Sequence, residues 1–342
     1  MFASRKSVLA VDVGTSAVKI LEVQRERDDL VVRGFSRVDV AGDTNRGDAV
    51  AECVRRGKFG TKRAMTAVSG KSVIVRFLTM MRMSHEELQR AIAFEAEKYI
   101  PWPIEESQVD AVSLGDLPQA DPSTPPEMRV VLVASKKTFV TDHAQILSDQ
   151  GLAPMAIDID AMAVASAFEL HERLCGNAAP TGAVALVDVG ASKSSINILV
   201  GGTTRFVRDV ESGGADMTQA LSRRLAIETF EAEKLKCTPG ERAPEVEEAI
   251  APTIADLANE LNLSFDYFEH QGEGTIEGVF LSGGGALAPA VADAIERATG
   301  KKTQTWNPIE GLKVQSDGVD VDELNARAPS LAVAVGLAAR ER

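Results

Sequence analysis

Short apolar runs bounded by polar or glycine positions open the chain at residues 8–13, 18–24 and 30–38. Runs of this length, rich in Val, Ile and Leu, predict strands. The charged stretch RERDD between the second and third predicts a hairpin turn, residues 48–56 a short helix, and residues 64–68 another strand. The same three-strand opening returns at residues 183–189, 194–200 and 204–210. A helical block over 216–270 follows, its first helix starting at Gly214 or Asp216. A strand at 276–281, a helix at 287–299 and a last small-residue helix at 329–339 (PSLAVAVGLAA) complete the second half.

The pattern between the two halves is different. SVIVRFLTM, residues 72–80, predicts a strand, and Ser84 with Glu87 three positions on is a capping box. The helix that follows carries Leu88, Ile92, Ala96 and Ile100 on one face, and Pro101 and Pro103 stop it. Strands at 108–115 and 129–134 flank a loop rich in Pro, Asp and Ser, and a helix spans 136–150. A strand at 154–159 and a helix at 160–173 resume the first half, and residues 176–182 read as a hinge or inter-domain crossing. The expected organisation is an α/β chain. Residues 1–69 with 154–178 form a first domain, 70–153 an inserted subdomain, and 179–342 a second domain whose last helix returns to the first.

Each three-strand opening carries the same turn. VDVGTS occupies residues 11–16 and VDVGAS residues 187–192, an offset of 176 positions. Glycine permits a close backbone approach at such a turn. Bare amides and small hydroxyls suit phosphate oxygens, and a strand-end Asp suits a hydrated Mg²⁺. A third element, Ser282-Gly283-Gly284-Gly285-Ala286, joins a strand to a helix, where amides and the helix dipole favour an anion or nucleotide.

Composition narrows the function classes. Net charge is −13, which argues against broad nucleic-acid binding and against a polybasic membrane patch. Cys53, Cys175 and Cys237 are scattered, so neither a disulfide nor a zinc site is expected. No apolar run suits a signal peptide, and none approaches the ~18 residues of a membrane span. A soluble protein is expected.

With these motifs in view, the chain resembles the actin, sugar-kinase and Hsp70 superfamily. Asp12-Val13-Gly14-Thr15 is similar to its first phosphate motif, Asp188 to Ser192 to its second, and Ser282 to Ala286 to its adenosine motif. Residues 160–167 and 331–336 look like its two connecting helices. The stretch from SVIVRFLTM to EAEKYIPWPIEE resembles the PilM family of type IV pilus assembly, relatives of FtsA. This chain has Trp102 where that family often has Phe. The implied fold is actin-like: two related ribonuclease-H-like domains with an inserted SHS2-type subdomain.

The resemblance implies ATP and Mg²⁺ as cofactors. Gly14, Thr15 and Ser16 would contact the phosphates from one side, and Gly190, Ala191 and Ser192 from the other. Asp12 and Asp188 would hold Mg²⁺ through water, and Lys19 would either reach a phosphate or form a salt bridge. Gly213 and Gly214 would start a helix near the nucleotide. Glu233 and Lys236 would meet ribose and adenine, and Gly283, Gly284 and Gly285 would line the adenosine. Asp160 would orient the hydrolytic water or cap its helix, with slow hydrolysis at most.

The implied partner is the cytoplasmic N-terminal peptide of the inner-membrane protein PilN, in a groove between first domain and subdomain near Arg76, Phe77, Ile100, Pro101 and Trp102. Other pilus inner-membrane assembly proteins and self-association are further possible partners. The expected location is cytoplasmic, at the inner membrane through that partner. The alternatives are an FtsA-like filament former, disfavoured because no membrane helix follows the core, and a small-molecule kinase, disfavoured because the insert occupies the acceptor region.

Overall fold

The computed structural model describes residues 7–26, 29–40, 44–119, 121, 123–177, 182–315 and 317–340. Arg27 and Asp28 of the expected RERDD turn, residues 178–181 of the expected hinge, and residues 120 and 122 of the Pro-rich loop lie outside them. The chain divides into two compact units, Met1–Ala67 with Ile146–Arg342, and Val68–Gln145.

The chain opens with β1 (Ser7–Val13), β2 (Ala17–Glu26), β3 (Asp29–Asp39), α1 (Arg46–Gly57) and β4 (Arg63–Val68). β5 (Val73–Met81), α2 (His85–Ala96), β6 (Ser107–Asp116), β7 (Glu127–Lys136) and α3 (Lys137–Ser148) follow. Next come β8 (Ala153–Ile159), α4 (Asp160–Leu174), β9 (Ala183–Val189), β10 (Ser194–Val200) and β11 (Thr203–Val210). The helices α5 (Gly214–Leu225), α6 (Thr229–Cys237) and α7 (Ala243–His270) lead to β12 (Ile276–Ser282), α8 (Ala290–Thr299) and β13 (Thr303–Thr305). β14 (Lys313–Val314), α9 (Val321–Ala326) and α10 (Ala332–Ala339) close the chain.

Two sheets organise the larger unit, ordered β14-β3-β2-β1-β4-β8 and β11-β10-β9-β12-β13. Apart from the edge strand β14, the two orders are the same. The repeat extends to register: Asp12 pairs with Lys19 across the first hairpin and Asp188 with Ser195 across the second. Both members of the pair are displaced by the same 176 positions, so the two openings are one structural motif used twice.

Helices α4 and α10 pack against each other and share a core with side chains of both sheets, including Ala10 and Leu21 of the first and Leu186 and Leu199 of the second. Small residues make this crossing close. A Cβ on Gly336 of α10 would lie 1.7 Å from the Ala163 carbonyl oxygen of α4, so only glycine fits. The other face of the second sheet is covered by α5, α7 and α8, which bury Met217, Leu221, Leu257, Leu261, Val291 and Ile295. Burial of such side chains contributes roughly 1.5–3 kcal/mol each and is the main force holding the layers together.

The smaller unit is an antiparallel sheet, β5-β7-β6, with α2 against it. Leu88, Ile92 and Ala96 of α2 pack on Ala111, Met128, Val130 and Leu132. The capping box is present: Glu87 N–H donates to Ser84 Oγ, and the Ser84 N–H donates to the Glu87 carboxylate at 2.8 Å.

Some elements end differently from expectation. α2 stops at Ala96 rather than near Pro101, because Lys98 and Tyr99 already donate to the Glu95 and Ala96 carbonyls in tighter turns. The residues before a proline avoid helical geometry. The helix expected at 287–299 begins at Ala290, after a 3₁₀ turn at Gly284–Leu287 and Pro289. The last helix likewise begins at Ala332, after a 3₁₀ turn at Ala328–Leu331. Strands β13 and β14 and helix α9 were not anticipated; they are too short to imprint a period on the sequence. Among the described residues no helix is long and apolar enough to cross a membrane.

Candidate functional site

The two glycine turns meet. Gly14 N–H donates to the Ala17 carbonyl at 3.1 Å, and Gly190 N–H donates to the Lys193 carbonyl at 2.9 Å, closing the same ring in each copy. A Cβ on either glycine would sit 2.7 Å or 2.8 Å from that carbonyl oxygen, which explains glycine at both places. The turns present exposed Thr15, Ser16 and Ser192. Thr15 Oγ1 and Ser192 Oγ lie 3.1 Å apart, a hydrogen bond between hydroxyls from the two sheets' turns.

Carboxylates and ammonium groups gather behind this contact. Lys19 Nζ donates to Asp12 Oδ2 at 2.7 Å, both side chains being largely buried. Of its two expected roles, Lys19 therefore takes the salt bridge in this arrangement. Asp188 lies deep in the protein while keeping partial solvent access, and its Oδ1 accepts a 2.8 Å bond from Ser282 Oγ. Burial raises the Asp188 carboxyl to about 6 against the pull of that hydroxyl and of Lys19, and the charges of Asp160 and Asp12 add to the rise. Lys193 Nζ stands 3.5 Å from Asp160 and 3.2 Å from Asp209. Burial alone would lower the Lys193 ammonium, but the charges of Asp160 and Asp209 outweigh it and hold the pKa above its ordinary value. Asp160 is the first residue of α4, with Ile159 as its N-cap, so the carboxylate faces Lys193 instead of capping the helix.

The helix α5 is bolted to the second turn. Gly214 N–H donates to the Gly190 carbonyl and Ala215 N–H to the Ala191 carbonyl, both at 2.8 Å, while Gly213 N–H donates to the Asp216 carboxylate. Gly213 and Gly214 therefore let α5 start against the turn. Lys236 is 1% exposed. Its ammonium donates to the Gly214 carbonyl, Thr218 Oγ1 and Glu233 Oε2 at 2.9, 2.8 and 2.6 Å, which uses its three donors. Lys236 is thus placed as an anchor beneath the start of α5. Glu233 has a half-exposed side chain; although burial alone would raise it, Lys236 and Thr218 hold its carboxyl below the ordinary value. Gly283 and Gly285 pack on Val189 just before the second turn, whereas Gly284 faces open space.

The structure therefore brings Asp12, Gly14, Thr15, Lys19, Asp160, Asp188, Gly190 and Ser192 together where the two turns meet, and Gly213, Gly214, Glu233, Lys236, Gly283 and Gly285 along the second turn's flank. Three participants were not singled out from sequence. Ser282 is the first residue of the SGGGA element, and Lys193 follows VDVGAS directly, so both carried a signal by position. Asp209 carried none.

Hydroxyls, glycine turns and a carboxylate raised by burial suit a cation-bound polyphosphate. The comparison with known proteins is consistent with this architecture. A family model described as type IV pilus assembly protein PilM matches residues 10–342. The chain belongs to the PilM family. A solved PilM–PilN type IV pilus biogenesis complex contains a chain similar to this one, with a TM-score of 0.83 and 26% identity over 98% of each chain. The ethanolamine utilization protein EutJ from Carboxydothermus hydrogenoformans is similar in fold, with TM-score 0.56 and 14% identity over 100% of this chain and 91% of that one. So is MreB5 of Spiroplasma citri bound to ADP, at 0.51 and 12% over 97% and 94%. PilM-family membership and the actin-like ATPase fold follow.

Proposed function

We propose that this PilM-family chain is a nucleotide-responsive scaffold of type IV pilus or related secretion assembly, which binds Mg·ATP in the cleft and the cytoplasmic N-terminal peptide of a PilN-like inner-membrane protein. The observation that carries the nucleotide half is the meeting of the two turns, with Thr15 and Ser192 in contact at 3.1 Å and Asp12, Asp160 and Asp188 behind them. The residues fit the group. Both turn glycines keep the hairpins tight, so the Thr15, Ser16 and Ser192 hydroxyls are exposed at their tips, and Asp188 is a carboxylate whose ionised form a cation would stabilise.

Asp12 and Asp188 would hold Mg²⁺ through water, and Thr15, Ser16 and Ser192 would hold phosphate oxygens. Bound Mg·ATP would supply a compact polyanion at the meeting of the two turns. Thr15 and Ser192 would then turn from each other to hold phosphate oxygens, which would couple occupancy of the cleft to the spacing of the two sheets. Close packing of α4 on α10 transmits that spacing through the shared core. Asp160 is held toward Lys193 at 3.5 Å, so its carboxylate would have to leave that ammonium to orient a water. Hydrolysis would accordingly be slow, and the output would be a binding surface rather than a product.

The partner half rests on family membership and on the PilM–PilN complex to which the chain is similar. Arg76 is exposed and Phe77 half-buried on β5, and Trp102 lies under the Lys136 ammonium at 5.7 Å. These residues offer a mixed cationic and aromatic surface for such a peptide. Attachment to the inner membrane would come from that partner.

One calorimetric experiment tests both halves. The double variant Asp12→Ala, Asp188→Ala is expected to lose Mg·ATP binding while keeping its circular dichroism spectrum. A synthetic PilN N-terminal peptide is expected to bind the unaltered chain with an affinity or rate that differs between ATP and ADP. Unchanged Mg·ATP affinity in the variant would sink the clamp. Peptide binding indifferent to nucleotide would sink the coupling.

A further inference from the structure

The sequence offers no metal-ligand spacing among its cysteines, yet folding assembles a mixed donor set at the opposite end of α4 from Asp160. His171 and Cys175 lie one helical turn apart at the end of α4, and Glu310 comes from the segment between β13 and β14. One donor atom from each lies within 4.8 Å of the other two. We propose that His171, Cys175 and Glu310 bind a zinc-class divalent transition metal.

Geometry supports the assignment. The Cys175 Sγ to His171 Nδ1 distance is 3.6 Å. Two such ligands on a tetrahedral zinc, with Zn–S near 2.3 Å and Zn–N near 2.0–2.1 Å, stand about 3.6 Å apart. The thiol and imidazole therefore need little movement to share an ion. The imidazole is already oriented: it is 9% exposed and packs on Trp306 at a 5.4 Å centroid separation. Its other nitrogen, Nε2, faces the Glu172 carboxylate at 3.8 Å, and Asn177 donates to that carboxylate at 3.1 Å. At that distance a small rotation of either side chain would complete the imidazole–carboxylate bond that usually supports such a ligand.

Donor chemistry selects the ion class. A thiolate and an imidazole with one carboxylate favour zinc or cobalt over the hard cations magnesium and calcium, which take oxygen. Cys175 and Glu310 are both exposed, so an ion can enter. Binding replaces the Cys175 thiol proton by a metal–sulfur bond and releases that proton to water. Three protein ligands leave the fourth position to water.

The place of the cluster gives it a consequence. The Glu310 segment packs on the end of α4: a Cβ on Gly311 would lie 2.9 Å from Leu174 Cβ, and Trp306 meets Phe168 edge-on at 5.4 Å. The same segment leads from β13, in the second sheet, to β14, on the edge of the first. A bound metal would staple α4 to that connection. It would stiffen the passage between the two halves without touching the cleft.

Cobalt is the probe, because a thiolate ligand gives a sulfur-to-cobalt charge-transfer band. The full chain, freed of any affinity tag and stripped with chelator, is titrated with Co²⁺ in the presence of millimolar Mg²⁺. One equivalent is expected to produce the band, and Zn²⁺ is expected to abolish it. Cys175→Ser should remove the band, Glu310→Gln should weaken binding at least about tenfold, and Cys237→Ser should leave both unchanged. Both tested ligands are exposed, so the variants' metal-free urea midpoints should match that of the parent chain. Zn²⁺ should raise the parent's melting temperature but not that of Cys175→Ser. Absence of the band at stoichiometric Co²⁺ would overturn the site and leave only a thiol–imidazole hydrogen bond. Persistence of the band in Cys175→Ser, or its displacement by Mg²⁺, would overturn it equally.

Discussion

The turns at Asp12 and Asp188 share register, ring closure and glycine, but their carboxylates live under opposite conditions. Asp12 has a cation directly across the hairpin, Lys19, and the two are ion-paired at 2.7 Å. Across from Asp188 the equivalent position is Ser195, which is 4% exposed, with an Oγ that has no hydrogen-bond partner among the described residues. Asp188 has a hydroxyl, Ser282, where Asp12 has an ammonium. One motif thus yields a neutralised carboxylate in the first half and an under-compensated one in the second. Duplication of a backbone does not duplicate its electrostatics. The second copy is the one with more to gain from a cation.

The largest test of that contrast lies beneath the second turn. Lys236→Met should strip three bonds from the start of α5 and leave Glu233 without its ammonium partner. Each charge-assisted bond contributes about 1.5–3 kcal/mol, less at Glu233, whose half-exposed carboxylate can turn to water. Urea unfolding should show a loss of that order, and exchange protection should fall at α5 and the second turn before the first. Equal loss at both turns would erase the distinction.

The aspartates themselves come next, and their neutral variants should move stability in opposite directions. The Asp188 carboxyl is raised to about 6, so between pH ~4 and ~6 the folded chain keeps a proton that the unfolded chain has released. The unfolded state then binds fewer protons, and this group's contribution to stability falls as pH rises through that window. The rise from 3.8 to about 6 corresponds to at most about 3 kcal/mol. Asp188→Asn should therefore raise the melting temperature at pH 7 in the absence of nucleotide and metal, with little effect at pH 4. Asp12→Asn should lower it at pH 7, since it leaves Lys19 without its partner. Shifts of the same sign would break the comparison.

The smallest effect concerns the contact between turns. Thr15→Val and Ser192→Ala should each remove one exposed hydrogen bond, about 0.5–1.5 kcal/mol at most. A double-mutant cycle should show that the second substitution adds little to the first. Full additivity would mean that the two hydroxyls do not hold the turns together in solution.

Much of the site was legible because its parts are local. VDVG followed two positions after its glycine by serine specifies a strand, a tight glycine turn and a strand in both copies, and its recurrence at a fixed offset announced a repeated fold. The capping box at Ser84 and Glu87 and the apolar face of α2 were equally plain, since each depends on neighbours three or four positions away. The ends of α2, α8 and α10 were not, because tight terminal turns compete with the helix over only a few residues. Lys236 shows the limit best. Its sequence context, EAEKLK, reads equally as an exposed helix face or a ligand contact, and only the arrival of α5 buries it.

By itself the sequence determined the turn chemistry, the doubled strand pattern and the family. Those properties follow from short-range sterics and from the period of burial along each element. Tertiary structure alone decided which polar groups meet: Lys193 with Asp160 and Asp209, Ser282 with Asp188, and Glu310 with the His171–Cys175 pair. Those partners come from segments separated along the chain, and their energies depend on burial and distance, which no local pattern encodes.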